Sequence, residues 1–275
     1  MRKVSCYRPG PRFPSISVTG AHCGLRCPHC AGRPLGAMLP AETPGRLCEI
    51  AGRLADDGAL GFLLSGGCSV DGILHIEGYL DVIKTIKSTT DLKINAHVGF
   101  PRSGDAARLA GSGIDSFSIT YPMSDRIGEE SLLVDDAMGR YRETYAALSD
   151  AGAKVIPHAL LGLGSLQEDI RGIELLGEDH LNSLVAIAFI PLKGTPLEFK
   201  PPTPEAHIIE SLKVARDVMP EAKIVLGCMR PKGRPEMERF LIENILDGIV
   251  MPASRALDSE NASLEVVEGC CAIHL

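Results

Sequence analysis

Three cysteines stand close together near the start of the chain, in Cys23-Gly24-Leu25-Arg26-Cys27-Pro28-His29-Cys30, a C-x3-C-x2-C spacing. Three thiolates on one short loop can bind three irons of a 4Fe–4S cluster and leave the fourth iron without a protein ligand, because such clusters are held by cysteine thiolates. An open iron can chelate a small molecule, which turns an electron carrier into a reaction site. A zinc site is the alternative, with His22 or His29 completing a closed set of four ligands. Zinc sites more usually show two Cys pairs, or a Cys pair with a His pair.

The remaining cysteines are Cys6, Cys48, Cys68, Cys228, Cys270 and Cys271, and the total is nine. The N-terminus, Met-Arg-Lys-Val-Ser-Cys-Tyr-Arg-Pro-Gly, lacks the apolar core of a signal peptide, so a cytoplasmic setting is expected. There, nine thiols point to metal or redox chemistry more than to disulfides. Cys48 falls on an apolar helix stripe and reads as core. Net charge is −7 with no basic cluster, which disfavours nucleic-acid binding. No run of about 18 apolar residues is present, so no membrane span is expected.

These groups need a scaffold to position them. Short apolar runs recur at 15–19, 61–65, 92–97, 116–121, 154–161, 184–190, 223–227 and 248–251. They lack strict in/out alternation, as strands buried on both faces do. Between them lie helical stripes: Leu47, Ile50, Ala51 and Leu54; Val134, Met138, Tyr141, Tyr145 and Leu148; Ile208, Leu212, Ala215 and Met219. Eight strands alternating with helices predict an α/β fold, a (β/α)8 TIM-type barrel, with a doubly wound open sheet as the alternative. The expectation is one domain over 1–275, with the barrel over about 12–255 and a Cys-containing tail over 256–275. The first ten residues are expected outside the barrel.

Such barrels build their sites at the C-terminal ends of the strands. The Cys motif follows the first barrel strand and Cys68 follows the second. His97 ends the third, His158 lies in the fifth, and Cys228 follows the seventh.

The Cys spacing resembles the signature of the radical S-adenosylmethionine (SAM) enzymes. That resemblance implies a 4Fe–4S cluster whose open iron binds SAM and, on reduction, cleaves it to methionine and a 5′-deoxyadenosyl radical. The aromatic residue usual before the third Cys is replaced by His29. Ser65-Gly66-Gly67-Cys68 sits where the family uses a Gly-Gly pair to bring backbone to the methionine moiety, since glycine has no Cβ. Cys68 replaces the acidic residue usual after that pair. The resemblance further implies Ser118 and Thr120 near the ribose and Ile190 and Pro191 flanking the adenine, with His97 and His158 inside the barrel.

The stretches Ala151–Val155 and Leu161–Gly164, the loop Ile190-Pro191-Leu192-Lys193-Gly194-Thr195-Pro196-Leu197, and Lys223–Arg230 resemble biotin synthase and its relatives over about residues 12–255. Of that enzyme's interior cluster ligands, only Cys68 and Arg230 have counterparts. The phrases Pro11–Gly20, Ser-Gly-Gly-Cys, Leu-Gly-Cys-Met-Arg-Pro and the terminal Cys270-Cys271 most resemble the archaeal-type lipoyl synthases. What this implies is sulfur insertion into an octanoyl-lysine protein or peptide. An auxiliary iron–sulfur cluster would draw its ligands from Cys68, Cys228, Cys270, Cys271 and, more weakly, Cys6. The implied partners are a related radical SAM protein and an electron donor such as ferredoxin or flavodoxin. The alternative is a biotin synthase-like enzyme of rearrangement, cleavage or methylation.

Overall fold

All eight apolar runs form strands, and three further strands join them. The computed structural model describes residues 2–258 and 261–275. Its strands are β1 (Arg2–Arg8), β2 (Ser15–Ser17), β3 (Leu39–Pro40), β4 (Gly61–Ser65), β5 (Lys93–His97) and β6 (Ser116–Tyr121), then β7 (Val155–Leu161), β8 (Ser183–Ala188), β9 (Lys223–Leu226), β10 (Gly248–Val250) and β11 (Ala262–Glu268). The helices are α1 (Pro44–Asp56), α2 (Leu80–Thr89), α3 (Ala106–Ala110), α4 (Asp125–Ile127), α5 (Ala137–Asp150), α6 (Leu166–Gly177), α7 (Glu205–Val218), α8 (Pro235–Asn244) and α9 (Cys271–His274).

Local sequence explains the helix starts. Thr43 caps α1 by accepting from the Arg46 amide, with Pro44 next. Ser165 and Glu168 form a reciprocal capping box on α6. Each longer helix turns one apolar stripe to the sheet: Leu47, Ile50 and Ala51 on α1, and Ile208, Leu212 and Ala215 on α7. Val134 lies ahead of α5, and Met219 follows the last turn of α7.

The sheet has 11 strands, all parallel, in the order β11-β1-β10-β9-β8-β7-β6-β5-β4-β2-β3. It is a curled half-barrel and does not close into the eight-stranded ring expected from sequence. The reason lies in the edges. β10 pairs with β1 (Cys6 opposite Ile249), and the other edge of β1 pairs with β11 (Cys6 opposite Val266). β2 in turn has β3 and β4 as neighbours. The closing positions are therefore taken, and residues 2–8, expected outside the barrel, are an interior strand of the sheet. Gly248 admits this strand: a Cβ there would stand 2.6 Å from the Tyr7 ring.

Period-two alternation sorts the side chains. Val4, Cys6, Ile224 and Ile249 join the main core between sheet and helices. Tyr7, Ile156, Val185, Val225 and Val250 face the concave side, where they pack on Cys271 and Ala272 of the tail. The tail thus enters the half-barrel and floors it. Its ties are the Lys154 Nζ bond to the Ile273 carbonyl (2.8 Å), the Gly269 amide bond to the Arg8 carbonyl (3.0 Å) and the Arg12–Glu268 ion pair. No helix among the described residues is long and apolar enough to cross a membrane.

Candidate functional site

The Cys motif forms the loop after β2, at the C-terminal mouth of the half-barrel. Cys30 and Ala31 amides return to the Cys27 carbonyl (3.0 and 2.7 Å), so the loop folds on itself. The Gly24 amide bonds the Cys68 carbonyl (2.8 Å), tying the motif to the loop after β4. Leu197, in the Lys-Gly-Thr-Pro-Leu loop after β8, donates its amide to the Pro28 carbonyl (3.3 Å). Three loops distant in sequence therefore meet around the three thiols.

Beneath them lies a cavity of about 290 Å³. Cys23, Cys27, His29, Cys30, Gly66, Gly67, Cys68, His97 and Thr120 line it, with Leu35, Phe100, Leu132, Leu160 and Ile187 as apolar walls. Gly67 is a required glycine. A Cβ there would lie 2.0 Å from the His22 carbonyl oxygen and 2.4 Å from Cys23 Cα. Gly99 is similar: a Cβ would meet the Gly72 carbonyl at 2.2 Å and Cys68 Sγ at 3.1 Å.

The donor atoms of Cys27, His29 and Cys30 lie within 4.8 Å of one another. Cys23 Sγ stands outside that group, 3.9 Å from the Cys68 carbonyl oxygen. His29 Nδ1 is already engaged by the Ser131 carbonyl at 2.9 Å. The Cys30 thiol is pushed down to about 4 by its hydrogen bond with Cys27, against burial, and further by His29. That same bond, then burial, pushes the Cys27 thiol far up. Burial works against a charged His29, yet its bond to Cys30 raises it overall. Such crowding of sulfurs around one retained proton is what a thiolate-binding cation relieves. Burial, then the neighbouring Cys23 and Cys30, holds the Cys68 thiol up at about 12.

At the base of the cavity His97 meets His158, ring centroids 5.2 Å apart and edge to face. On the inner face of β7, Ile156 packs on the tail, Leu160 lines the mouth cavity, and His158 lies between them. Burial pushes His97 down to about 3, helped by His158, and His158 down to about 4, so both are neutral near pH 7.

Below the histidines are Cys270 and Cys271 of the tail, and Cys228, just past the C-terminal end of β9, is near enough to feel the charge of Cys270. Cys270 is pushed down to about 7 by its hydrogen bond with Cys271, against burial, and by the Ala272 amide and Asn95. Cys228 keeps an accessible face, yet the atoms around it raise its thiol, and charge on Cys270 raises it further.

The structure thus divides the residues singled out from sequence. Cys68 sits with the mouth thiols, and Cys6 is fully buried on the opposite face of the sheet, so neither joins the floor group. Cys48 is exposed on α1 and is not core, since it lies off the stripe of Leu47, Ile50 and Ala51. Thr120 lines the cavity, whereas the Ser118 hydroxyl turns down to Asn95 Oδ1 (3.0 Å). Ile190 and Pro191 lie half-buried in the loop beyond β8, and Ile187 and Leu160 take the cavity wall. Arg230 points away from the interior: buried, it pairs with Glu238 at 2.8 Å and bonds the Gly227 and Val250 carbonyls. Sequence reading passed over Asn95 and Gly99. Alternation from His97 marks both as facing inward, which is the signal that would have found them.

The chain matches no family model. It is 24% identical over 233 residues to the biotin synthase of Aliivibrio salmonicida (strain LFI1238), covering 81% of this chain and 65% of that protein. It is 28% identical over 204 residues to the biotin synthase of Chlorobium luteolum, covering 67% of this chain and 61% of that one. The chain therefore spans a little under two thirds of these relatives' length. Its fold is shared with methylornithine synthase (PylB), at a TM-score of 0.64 and 15% identity, over 95% of this chain and 74% of that one. It is shared also with Streptococcus suis SuiB bound to S-adenosylmethionine, at 0.62 and 15%, over 94% and 59%. Sequence likeness to the biotin synthases, together with this shared fold and the thiol motif at its mouth, supports one assignment at the level of superfamily: radical SAM, biotin synthase-like.

Proposed function

We propose that the chain is a radical SAM enzyme that inserts sulfur at unactivated carbons, acting on an octanoyl chain carried by a lysine of a protein or peptide. The observation that carries this reading is the mouth cavity lined by Cys23, Cys27 and Cys30, with the Cys270–Cys271 pair on the tail beneath it and Cys228 within reach of the charge on Cys270. When bound, a 4Fe–4S cluster on the mouth thiols supplies the electron that cleaves SAM, and an auxiliary cluster on the floor thiols supplies sulfide.

The chain's own residues bind, orient and exclude water. Gly67 brings backbone against the motif and Gly66 lines the cavity beside it without a side chain in the way, the place for the methionine part of SAM. Leu35, Leu132, Leu160 and Ile187 give apolar walls suited to an adenine ring and an aliphatic chain. Neutral His97 and His158 offer hydrogen bonds between mouth and floor without a buried charge. Each insertion breaks one C–H bond and forms one C–S bond: the hydrogen leaves on 5′-deoxyadenosine, the donated sulfide would part from iron of the auxiliary cluster, and that iron would take up the remaining electron.

A peptide-borne substrate is supported by SuiB, solved with its precursor peptide SuiA. A related radical SAM protein as partner, and ferredoxin or flavodoxin as electron donor, belong to the same reading.

The test is to incubate the reconstituted protein, alone and with its partner, with an octanoyl-lysine peptide, SAM and a strong reductant. Thiolated octanoyl peptide, detected by mass, is the expected product. Deoxyadenosine with no sulfur in the peptide contradicts sulfur insertion and favours a rearrangement, cleavage or methylation.

A further inference from the structure

Asn95, Ser116 and Ser118 form a buried polar triad on the concave face of β5 and β6. Asn95 is 1% exposed, Ser116 0% and Ser118 2%. Burying three polar side chains where aliphatic ones would pack is unfavourable unless each finds a partner. Both serine hydroxyls donate to Asn95 Oδ1, at 3.1 and 3.0 Å. This leaves the amide nitrogen facing outward from the triad, and Asn95 Nδ2 donates to Cys270 Sγ at 3.7 Å.

The two serines fix which way the amide faces. Reversed, Asn95 would turn its oxygen to the sulfur. A thiolate that binds metal is an acceptor and needs a donor opposite it. The tail cannot drift from this donor, because Lys154 holds the Ile273 carbonyl and Arg8 holds the Gly269 amide on either side of Cys270. Ile156, Val185 and Val225 in the same apolar cluster are aliphatic and offer the sulfur nothing, and besides the Cys271 thiol its other donors are the Ala272 and Ile273 backbone amides, which leaves Asn95 as the side-chain donor outside the tail that bonds it.

We propose that Asn95, oriented by Ser116 and Ser118, is a positioning residue that presents an N–H donor to the Cys270 sulfur and sets the redox balance of the floor site. The proposal rests on the reading of Cys228, Cys270 and Cys271 as a cluster site. Hydrogen bonds to ligating sulfurs stabilise the electron-rich reduced state and are among the factors that set cluster potentials.

The experiment uses the full chain with Cys23, Cys27 and Cys30 all changed to Ala, so that the floor site alone holds iron. Iron is counted, and the redox midpoint is followed by electron paramagnetic resonance. Asn95→Ala is expected to bind iron and to lower the reduced-to-oxidised ratio at a fixed potential about fivefold, the scale of one hydrogen bond. The Ser116→Ala/Ser118→Ala double variant shifts it the same way by less. Thermal midpoints check that each variant folds. An unchanged midpoint in Asn95→Ala with iron bound overturns the proposal and leaves the cluster reading intact.

If the parent triple variant holds no iron, cobalt(II) is titrated against it and the thiolate charge-transfer absorption is read. Asn95→Ala is then expected to weaken cobalt binding about fivefold. Equal affinity overturns the role of Asn95. Absence of both iron and cobalt at the floor of the parent overturns the cluster reading and this proposal together.

Discussion

Gly67 lies so close to Cys23 that a Cβ on it would stand 2.4 Å from Cys23 Cα. Backbone, not a movable side chain, blocks that space, so any substitution must shift the first cysteine of the motif. Gly67→Ala is expected to lose iron from the mouth site and to destabilise the fold by about 1–3 kcal/mol, the range for overpacking. Gly66→Ala meets the side chains of Leu74 and Thr19 and is expected to be milder. Iron content and thermal midpoint check both. A Gly67→Ala protein with parental iron would contradict the close fit.

Cys68 and Cys270 are expected to behave differently when replaced by Ala. Cys68 faces Gly99 beside the mouth thiols, and burial and its neighbours hold its proton on at neutral pH. Cys68→Ala is expected to keep all iron. Cys270→Ala, like Cys228→Ala, is expected to lose about four irons of a total of about eight, one cubane's worth. Equal loss from Cys68→Ala and Cys270→Ala would show that the floor group is wrongly drawn.

The histidine pair predicts acid sensitivity. Burial depresses both His97 and His158 below the ordinary histidine value. A histidine depressed in the folded state takes up its proton more readily in the unfolded chain. Its neutral burial is therefore harmless above about pH 6.5, and stability falls as pH drops from there toward about 4. The loss should be about 2–3 kcal/mol for each histidine by pH 4.5, about 5 kcal/mol for the pair. His158→Gln should flatten that slope in pH-dependent urea unfolding. A parental slope in the variant would assign the acid lability elsewhere.

Arg230 and Glu238 form a fully buried ion pair that also grips the ends of β9 and β10 through the Gly227 and Val250 carbonyls. Glu238→Ala leaves a buried, unpaired guanidinium. The expected loss is about 3–5 kcal/mol. Denaturant unfolding measures it, and a loss below ~1 kcal/mol would mean that water reaches Arg230.

The strands and the mouth of the site were legible because they rest on local signals. Apolar runs mark strands whatever their neighbours, and the Cys23–Cys30 spacing fixes three thiols on one loop. Closure was not legible, because it depends on which edge β1 takes, and residues 2–8 reach β10 only across the whole chain. The alternation of Val4 and Cys6 with Ser5 and Tyr7 was the available sign of a strand there. The division of the cysteines was equally non-local. Cys68 and Cys228 each follow a strand, yet Cys68 joins the mouth thiols while Cys228 comes within reach of the charge on Cys270, because the tail brings Cys270 and Cys271 up from below. Ser118 reads as a mouth residue until Asn95, one strand away, draws its hydroxyl down.

The central claim, that the mouth thiols hold a cluster that cleaves SAM, is tested most directly by anaerobic reconstitution and assay of 5′-deoxyadenosine with SAM and a strong reductant, in the parent and in Cys27→Ala. Deoxyadenosine is expected from the parent and none above background from Cys27→Ala, with the floor iron still bound. Deoxyadenosine from Cys27→Ala at the parental rate, or zinc and no iron in the parent, would contradict it.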